Sequence, residues 1–235
     1  MRFNPDQMIL WQGENIAINA TLACTWIVMC LLVAVSAWVS SRLSSEPSIS
    51  RWQNLLEVLV LSIRNQIRAV SQQEPGPYIP FIGTLFLFIA LSNLLAVVPG
   101  FYPPTSSLST TTALAVCVFV AVPLFGIGEQ GMLGYLKQYF QPTVLMLPFN
   151  IIGELSRTLA LAIRLYGNIM SGSVIAAILL GVAPFFFPIV MQLLGLLTGM
   201  IQAYIFAVLA MVYIASAAVS HKQAGGGDRK GEINR

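Results

Sequence analysis

Residues 143–180 read TVLMLPFNIIGELSRTLALAIRLYGNIMSGSVIAAILL, and residues 185–220 read FFFPIVMQLLGLLTGMIQAYIFAVLAMVYIASAAVS. The first stretch is 38 residues long and carries three charges, Glu154, Arg157 and Arg164; the second is 36 long and carries none. As straight helices they would measure roughly 57 and 54 Å, nearly twice the ~30 Å hydrocarbon thickness of a bilayer. Helices of this length must tilt steeply, bend, or lie partly along the membrane plane inside protein. Pro184 and Pro188 mark the hairpin between them.

Working outward, no Asp, Glu, Lys or Arg occurs between Glu74 and Glu129. That block holds two further apolar runs, residues 78–98 and 108–127, parted by PGFYPPTSS, which no helix passes through unbroken. A fifth run, residues 16–39, is 24 residues long. It exceeds the h-region of a signal peptide, and Arg2, Asp6 and Glu14 before it do not make a basic n-region. Residues 50–71 place Trp52, Leu55, Leu56, Leu59, Val60, Ile63, Ile67 and Val70 at helical spacing, behind a plausible Ser50 N-cap. This segment reads equally as an interfacial amphipathic helix or as an extension of its neighbours. The tail 221–235, with GGGDRKGE, is polar and glycine-rich and is expected to be disordered.

Composition agrees. Only 9% of the 235 residues are charged and 57% are hydrophobic, with a mean hydropathy of +0.79. A soluble globule carries about 25% charged residues, and a net charge of +3 makes no nucleic-acid footprint. Cys24, Cys30 and Cys117 lie in apolar runs without CxxC spacing, so they read as small hydrophobes, not as a disulfide or zinc framework. Nine of the twelve bases fall in residues 40–78, 128–142 and 221–235, and none in 99–107. An external N-terminus and a cytoplasmic C-terminus place all nine inside.

The expected fold is an all-α polytopic membrane protein with about five hydrophobic helical elements. The last two form an over-long, strongly tilted hairpin, and an interfacial amphipathic helix accompanies them. The expected organisation is an external segment 1–15, one membrane domain 16–220 that includes the cytoplasmic segment 50–71, and the tail 221–235.

Arg164 is the residue that demands a chemical explanation. A guanidinium at membrane depth costs on the order of 2.5–3.5 kcal/mol on insertion scales, and a guanidinium does not shed its proton to escape. It needs an aqueous path or an anion. No acid follows it before Asp228, so an acid from another chain is a good candidate; pairing with Glu154 is the internal alternative. Arg157, seven residues earlier, shares its helical face about 10.5 Å away, and Glu154 is spaced to pair with Arg157. The last helix carries Gln192, Thr198, Gln202, Tyr204 and Tyr213, with Gly195 and Gly199 forming a GxxxG pair that lets another helix approach. Gln202 at mid-helix is expensive unless it hydrogen-bonds. Opposite an arginine in an antiparallel hairpin, it would orient the guanidinium. Asn168, Ser171 and Ser173 continue the polar stripe after Arg164.

These residues resemble a known family, subunit a of the F-type ATP synthase membrane sector. The carrying motif is ELSRTLALAIRLYGN, Glu154 to Asn168: a basic residue seven positions before an Arg that is followed by Leu, an aromatic, Gly and Asn. The final helix, QAYIFAVLAMVYI from Gln202, and SNLLAVVP, Ser92 to Pro99, are similar to two further family segments. The resemblance covers roughly residues 15–220. It implies an ion-translocating stator subunit in which Arg164 faces a rotating c-subunit ring and separates two aqueous half-channels leading to the ring carboxylates. The residues expected to line the ion pathway or support Arg164 are Gln202, Asn168, Ser171, Ser173, Thr198, Gln192, Glu154, Arg157 and Asn150. Implied partners are the c ring, b-type peripheral stalk subunits, the lipid bilayer and, indirectly, the soluble ATPase head. No metal or cofactor is expected, and the implied location is the bacterial inner membrane.

The sequence departs from many proton-type members. Ser173 stands where they have a Glu nine residues after the Arg, Gly195 where some have a His, and Ala96 where an acid is common. The pattern looks like the divergent bacterial N-type ATPases, which are thought to include sodium pumps, so the ion is H+ or Na+. No Walker-type nucleotide loop is present, and the chain is not expected to be catalytic alone. Two alternative functions fit the sequence less well. A secondary transporter with its own midplane site would show internal repeats and more polar groups. A scaffold protein would leave Arg164 without a purpose.

Overall fold

The computed structural model describes residues 9–12, 17–41, 77–98, 100–140, 146–182 and 187–225, together with positions 57, 58, 61, 64, 65 and 68. The chain opens with an antiparallel hairpin of β1 (Ile9–Gln12) and β2 (Ala17–Asn19), with Trp11 opposite Ile18. β2 runs directly into α1 (Ala20–Ser41). The first helix therefore begins later than the expected residue 16, because residues 17–19 satisfy their backbone groups against β1. From Ala20 onward every regular element among the described residues is helical.

The remaining elements are α2 (Ile79–Leu95), a 3-10 turn (Pro104–Ser106), α3 (Leu108–Phe140), α4 (Met146–Val182) and α5 (Phe187–Gly225). Pro80 and Pro188 sit in first turns, where a missing N–H costs nothing. Apolar spans run for 19 residues in α1, 21 in α3, 34 in α4 and 28 in α5. The 17 residues of α2 reach about 25 Å. The over-long hairpin is thus present. The α4 and α5 spans would measure about 51 and 42 Å, and as straight rods they fit within ~30 Å only when inclined by roughly 54° and 44°.

Two boundaries differ from the sequence reading. The connection expected over residues 128–142 is largely helical: α3 continues to Phe140, interrupted at Gly131 with φ 74° and ψ 160°. At the other end, α5 runs on to Gly225, so the first five residues of the segment expected to be disordered are helical. No helix breaker precedes the glycine run at 225–227. In the 50–71 segment, the described residues Glu57, Val58, Leu61, Arg64, Asn65 and Arg68 are helical and exposed. They lie on one helical face; the expected apolar residues fall outside the described positions.

The core lies where α2, α3 and α5 meet. Ile82, Leu85 and Ile89 of α2, Ala115, Val118 and Ala121 of α3, and Ala203, Phe206, Ala210 and Ile214 of α5 are buried together. Tyr78 and Phe81 close one end against Phe125, with ring centroids 5.2 and 6.0 Å away. α4 packs on α3 and α5 through Leu161, Ala162 and Leu165, while Leu155, Leu159 and Ile163 face outward. One side of the α4–α5 hairpin is therefore covered by the other described helices, and the other side is exposed among the described residues.

Candidate functional site

The site is built on that hairpin. Arg164 sits at the middle of the α4 span, which runs from Pro148 to Gly181, and Gln202 at the middle of the α5 span, from Ile189 to Ser216. Two contacts fix how the helices lie against each other. Asn168 Nδ2 donates to the Thr198 carbonyl at 3.3 Å, and the Arg157 guanidinium carbon lies 5.6 Å from the ring centroid of Tyr213. Counting four residues back from Asn168 and four forward from Thr198 sets Arg164 opposite Gln202. Counting from the Arg157–Tyr213 pair gives Phe206 instead. That one-turn difference, about 6 Å, matches the reach of an extended arginine side chain.

Arg164 and Gln202 thus share a level but point differently. Arg164 is exposed, while Gln202 is 5% exposed. No hydrogen bond joins them among the described residues, so the expected Gln-to-Arg orienting bond is not formed in this chain by itself. Arg164 makes no ion pair or hydrogen bond with any described residue. The Gln202 Nε2 is buried without a hydrogen-bond partner, a condition that costs about 1–3 kcal/mol.

The other predicted residues divide between the two helices. Asn150, Arg157, Arg164 and Ser171 recur every seven residues along α4 and form one stripe. Arg157 has its guanidinium over the ring of Tyr213. Asn150 and Glu154 are half-buried near the start of α4. The Ser171 and Ser173 hydroxyls bond back to the carbonyls of Asn168 and Met170 at 3.1 and 2.8 Å. Thr198 Oγ1 bonds back to Leu194 at 2.9 Å. Gln192 Nε2 donates to the Ala96 carbonyl at 3.0 Å, tying α5 to the end of α2.

Sequence reasoning missed the central knot of this interior. Asn93 of α2 is 5% exposed, and its Nδ2 donates to the Gly199 carbonyl at 2.8 Å. Its Oδ1 accepts from Thr105 Oγ1 at 3.4 Å. A Cβ on Gly199 would come 2.8 Å from Asn93 Cγ, whereas one on Gly195 would meet nothing within 4 Å. Among the described residues, Gly199 alone of the GxxxG pair serves close approach, and it accommodates a side chain of α2. Thr105, Ser107 and Thr111 are fully buried around the 3-10 turn. The signal available in the sequence was an Asn inside the uncharged run 78–98, which is too costly to leave unbonded.

The model of the ATP synthase A chain family matches residues 22–215, a range that spans Arg164, Gln202 and all the ties just described. The chain belongs to that family. It is 63% identical over 217 residues to ATP synthase subunit a 2 of Acaryochloris marina, covering 92% of this chain and 93% of that protein. It is 60% identical over 218 residues to ATP synthase subunit a 2 of Picosynechococcus, covering 93% and 94%. With ATP synthase subunit a of Albidiferax ferrireducens, identity is 58% over 222 residues, covering 94% and 96%. Membership of the ATP synthase A chain family makes this a membrane-embedded, membrane-sector subunit of a rotary ATP synthase, not one of its catalytic subunits.

Proposed function

We propose that the chain is the ion-translocating stator subunit of its ATP synthase, and that Arg164 faces the carboxylates of a c-subunit ring. One observation carries the reading: a permanent cation at the centre of an apolar span, exposed, without an anionic partner among the described residues. Burying an unpaired guanidinium in lipid costs several kcal/mol. A neighbouring chain that brings one carboxylate after another removes that cost. The flank of Arg164 suits such a neighbour. Ala160 and Ser171 are small and exposed on the same face, and Gly167 has open space at its Cβ position. Small residues let a passing helix come close.

In this mechanism an ion enters one aqueous half-channel, neutralises a ring carboxylate, travels with the ring and leaves by the other half-channel. Arg164 holds the passing carboxylate ionised and blocks direct leakage between the two. Gln202, Asn168, Ser171, Ser173, Thr198, Gln192, Glu154, Arg157 and Asn150 supply polar groups to the pathway or to the support of Arg164. The ion is H+ or Na+. The b-type stalk subunits complete the stator, and the complex sits in the bacterial inner membrane with the N-terminus of this chain outside and its C-terminus in the cytoplasm.

The test is Arg164→Ala and Arg164→Lys in the whole complex. Lysine keeps a charge but loses the planar fork. Both variants are expected to assemble with the c ring and to lose ATP-driven ion uptake into vesicles. Uptake at the wild-type rate in either one rules out the stator assignment.

A further inference from the structure

We propose that Tyr213 is a positioning residue for Arg164: its ring anchors Arg157 and so sets the axial register of α4 on α5. The proposal rests on the stator reading of Arg164 given above. In a bilayer no hydrophobic force selects one register of two apolar helices over a neighbouring one, because lipid is as apolar as leucine. The buried residues of α4, Leu161, Ala162 and Leu165, are apolar, and so are Ala203, Ala207 and Ala210 buried on α5. A slip of one turn would leave such a surface nearly as well packed. Polar contacts therefore choose the register.

Two polar contacts between these helices lie on opposite sides of Arg164. The Asn168 bond to Thr198 lies four residues after it. The Arg157 stack on Tyr213 lies seven residues before it. A guanidinium within about 6 Å of an aromatic centroid is attracted to the ring face, and 5.6 Å meets that condition. The Asn168 bond is long for an amide donor and does not by itself hold a helix against rotation or slip. With both ties in place, Arg164 is held at the level of Gln202. α5 is itself fixed in height against α2 by the Asn93 bond to Gly199 and the Gln192 bond to Ala96. The height of Arg164 is thus carried from α2 through α5 to α4, and Tyr213 is the last link.

The experiment uses the assembled complex, with Cys24, Cys30 and Cys117 replaced by alanine. A cysteine at position 161 is paired in turn with cysteines at 203, 207 and 210, and the pair that oxidises fastest reports the register. The same pair is expected to lead in the wild type and in Tyr213→Phe, which keeps the ring. In Tyr213→Leu the lead is expected to move to another pair or to vanish. ATP-driven ion uptake, measured for sodium and for protons, is expected to stay within about twofold for Tyr213→Phe and to fall at least tenfold for Tyr213→Leu. Should Tyr213→Leu fail to assemble, Arg157→Met removes the cation at similar length and must show the same shift and loss. An unchanged cross-linking pattern in these variants overturns the anchor. A shifted pattern with undiminished uptake overturns its importance for Arg164. If Arg164→Ala itself pumps normally, the stator reading fails, while the cross-linking result still decides whether Tyr213 sets the register.

Discussion

Among the described residues, Arg164 and Gln202 are placed against their solvation preferences, Arg164 exposed at mid-span and Gln202 inward with an unspent donor. Close by, Asn93 fills the space that any side chain on Gly199 would need. Gly199→Ala forces Asn93 or a helix to move, and overpacking of this kind costs about 1–3 kcal/mol. The variant is expected to lower the thermal stability of the purified complex by that amount. Asn93→Ala in the same chain frees the space, and the double variant should be more stable than Gly199→Ala alone. Equal or lower stability of the double variant would show that the amide's hydrogen bonds, not its fit against glycine, dominate at this point.

Among the elements, α3 carries a break that its apolar run does not announce. Gly131 adopts φ 74° and ψ 160°, a region essentially reserved for glycine, with a cost of about 1–3 kcal/mol for other residues. Gly128, three residues earlier, is helical and has open space where a Cβ would go. Gly131→Ala should therefore destabilise the chain by that range in thermal unfolding. Gly128→Ala should be neutral or gain up to about 1 kcal/mol, since alanine is the better helix former. If the two substitutions behave alike, the break at Gly131 is not a fixed part of the fold. The length of α4 and α5 has a consequence at this scale too. A helix inclined by roughly 54° sweeps a wide lateral path, so residues seven apart on its stripe lie at different depths and at different lateral positions.

For the whole molecule the open question is the ion. Ser173, Gly195 and Ala96 are not titratable, and the described α4–α5 contacts include an amide-to-carbonyl bond, Asn168 to Thr198, and the Arg157 guanidinium over the Tyr213 ring. ATP-driven sodium uptake into vesicles holding the complex, with and without a protonophore, separates the two readings. Uptake that persists or rises with protonophore means that sodium is pumped directly. Acidification that the protonophore abolishes, with no sodium uptake, means that protons are carried and that other groups or water replace the missing acids.

The over-long hairpin and the predominantly helical character of the described residues from residue 20 onward were legible in the sequence, as was the apolar setting of Arg164. Each is a local matter of run length, charge-free spacing and the cost of a cation in lipid. The start of α1, the break at Gly131 and the extension of α5 to Gly225 were not, because strand pairing and one residue's backbone angles override a hydropathy pattern. Nor could spacing alone show which glycine of the GxxxG pair is filled, that Asn93 fills it, that Arg157 stacks on Tyr213, or that Gln202 turns inward while Arg164 turns out. Those facts depend on which faces meet across more than a hundred residues, as between Asn93 and Gly199. In an apolar bundle the faces are chosen by a few polar contacts and close approaches that exist only once the helices have packed.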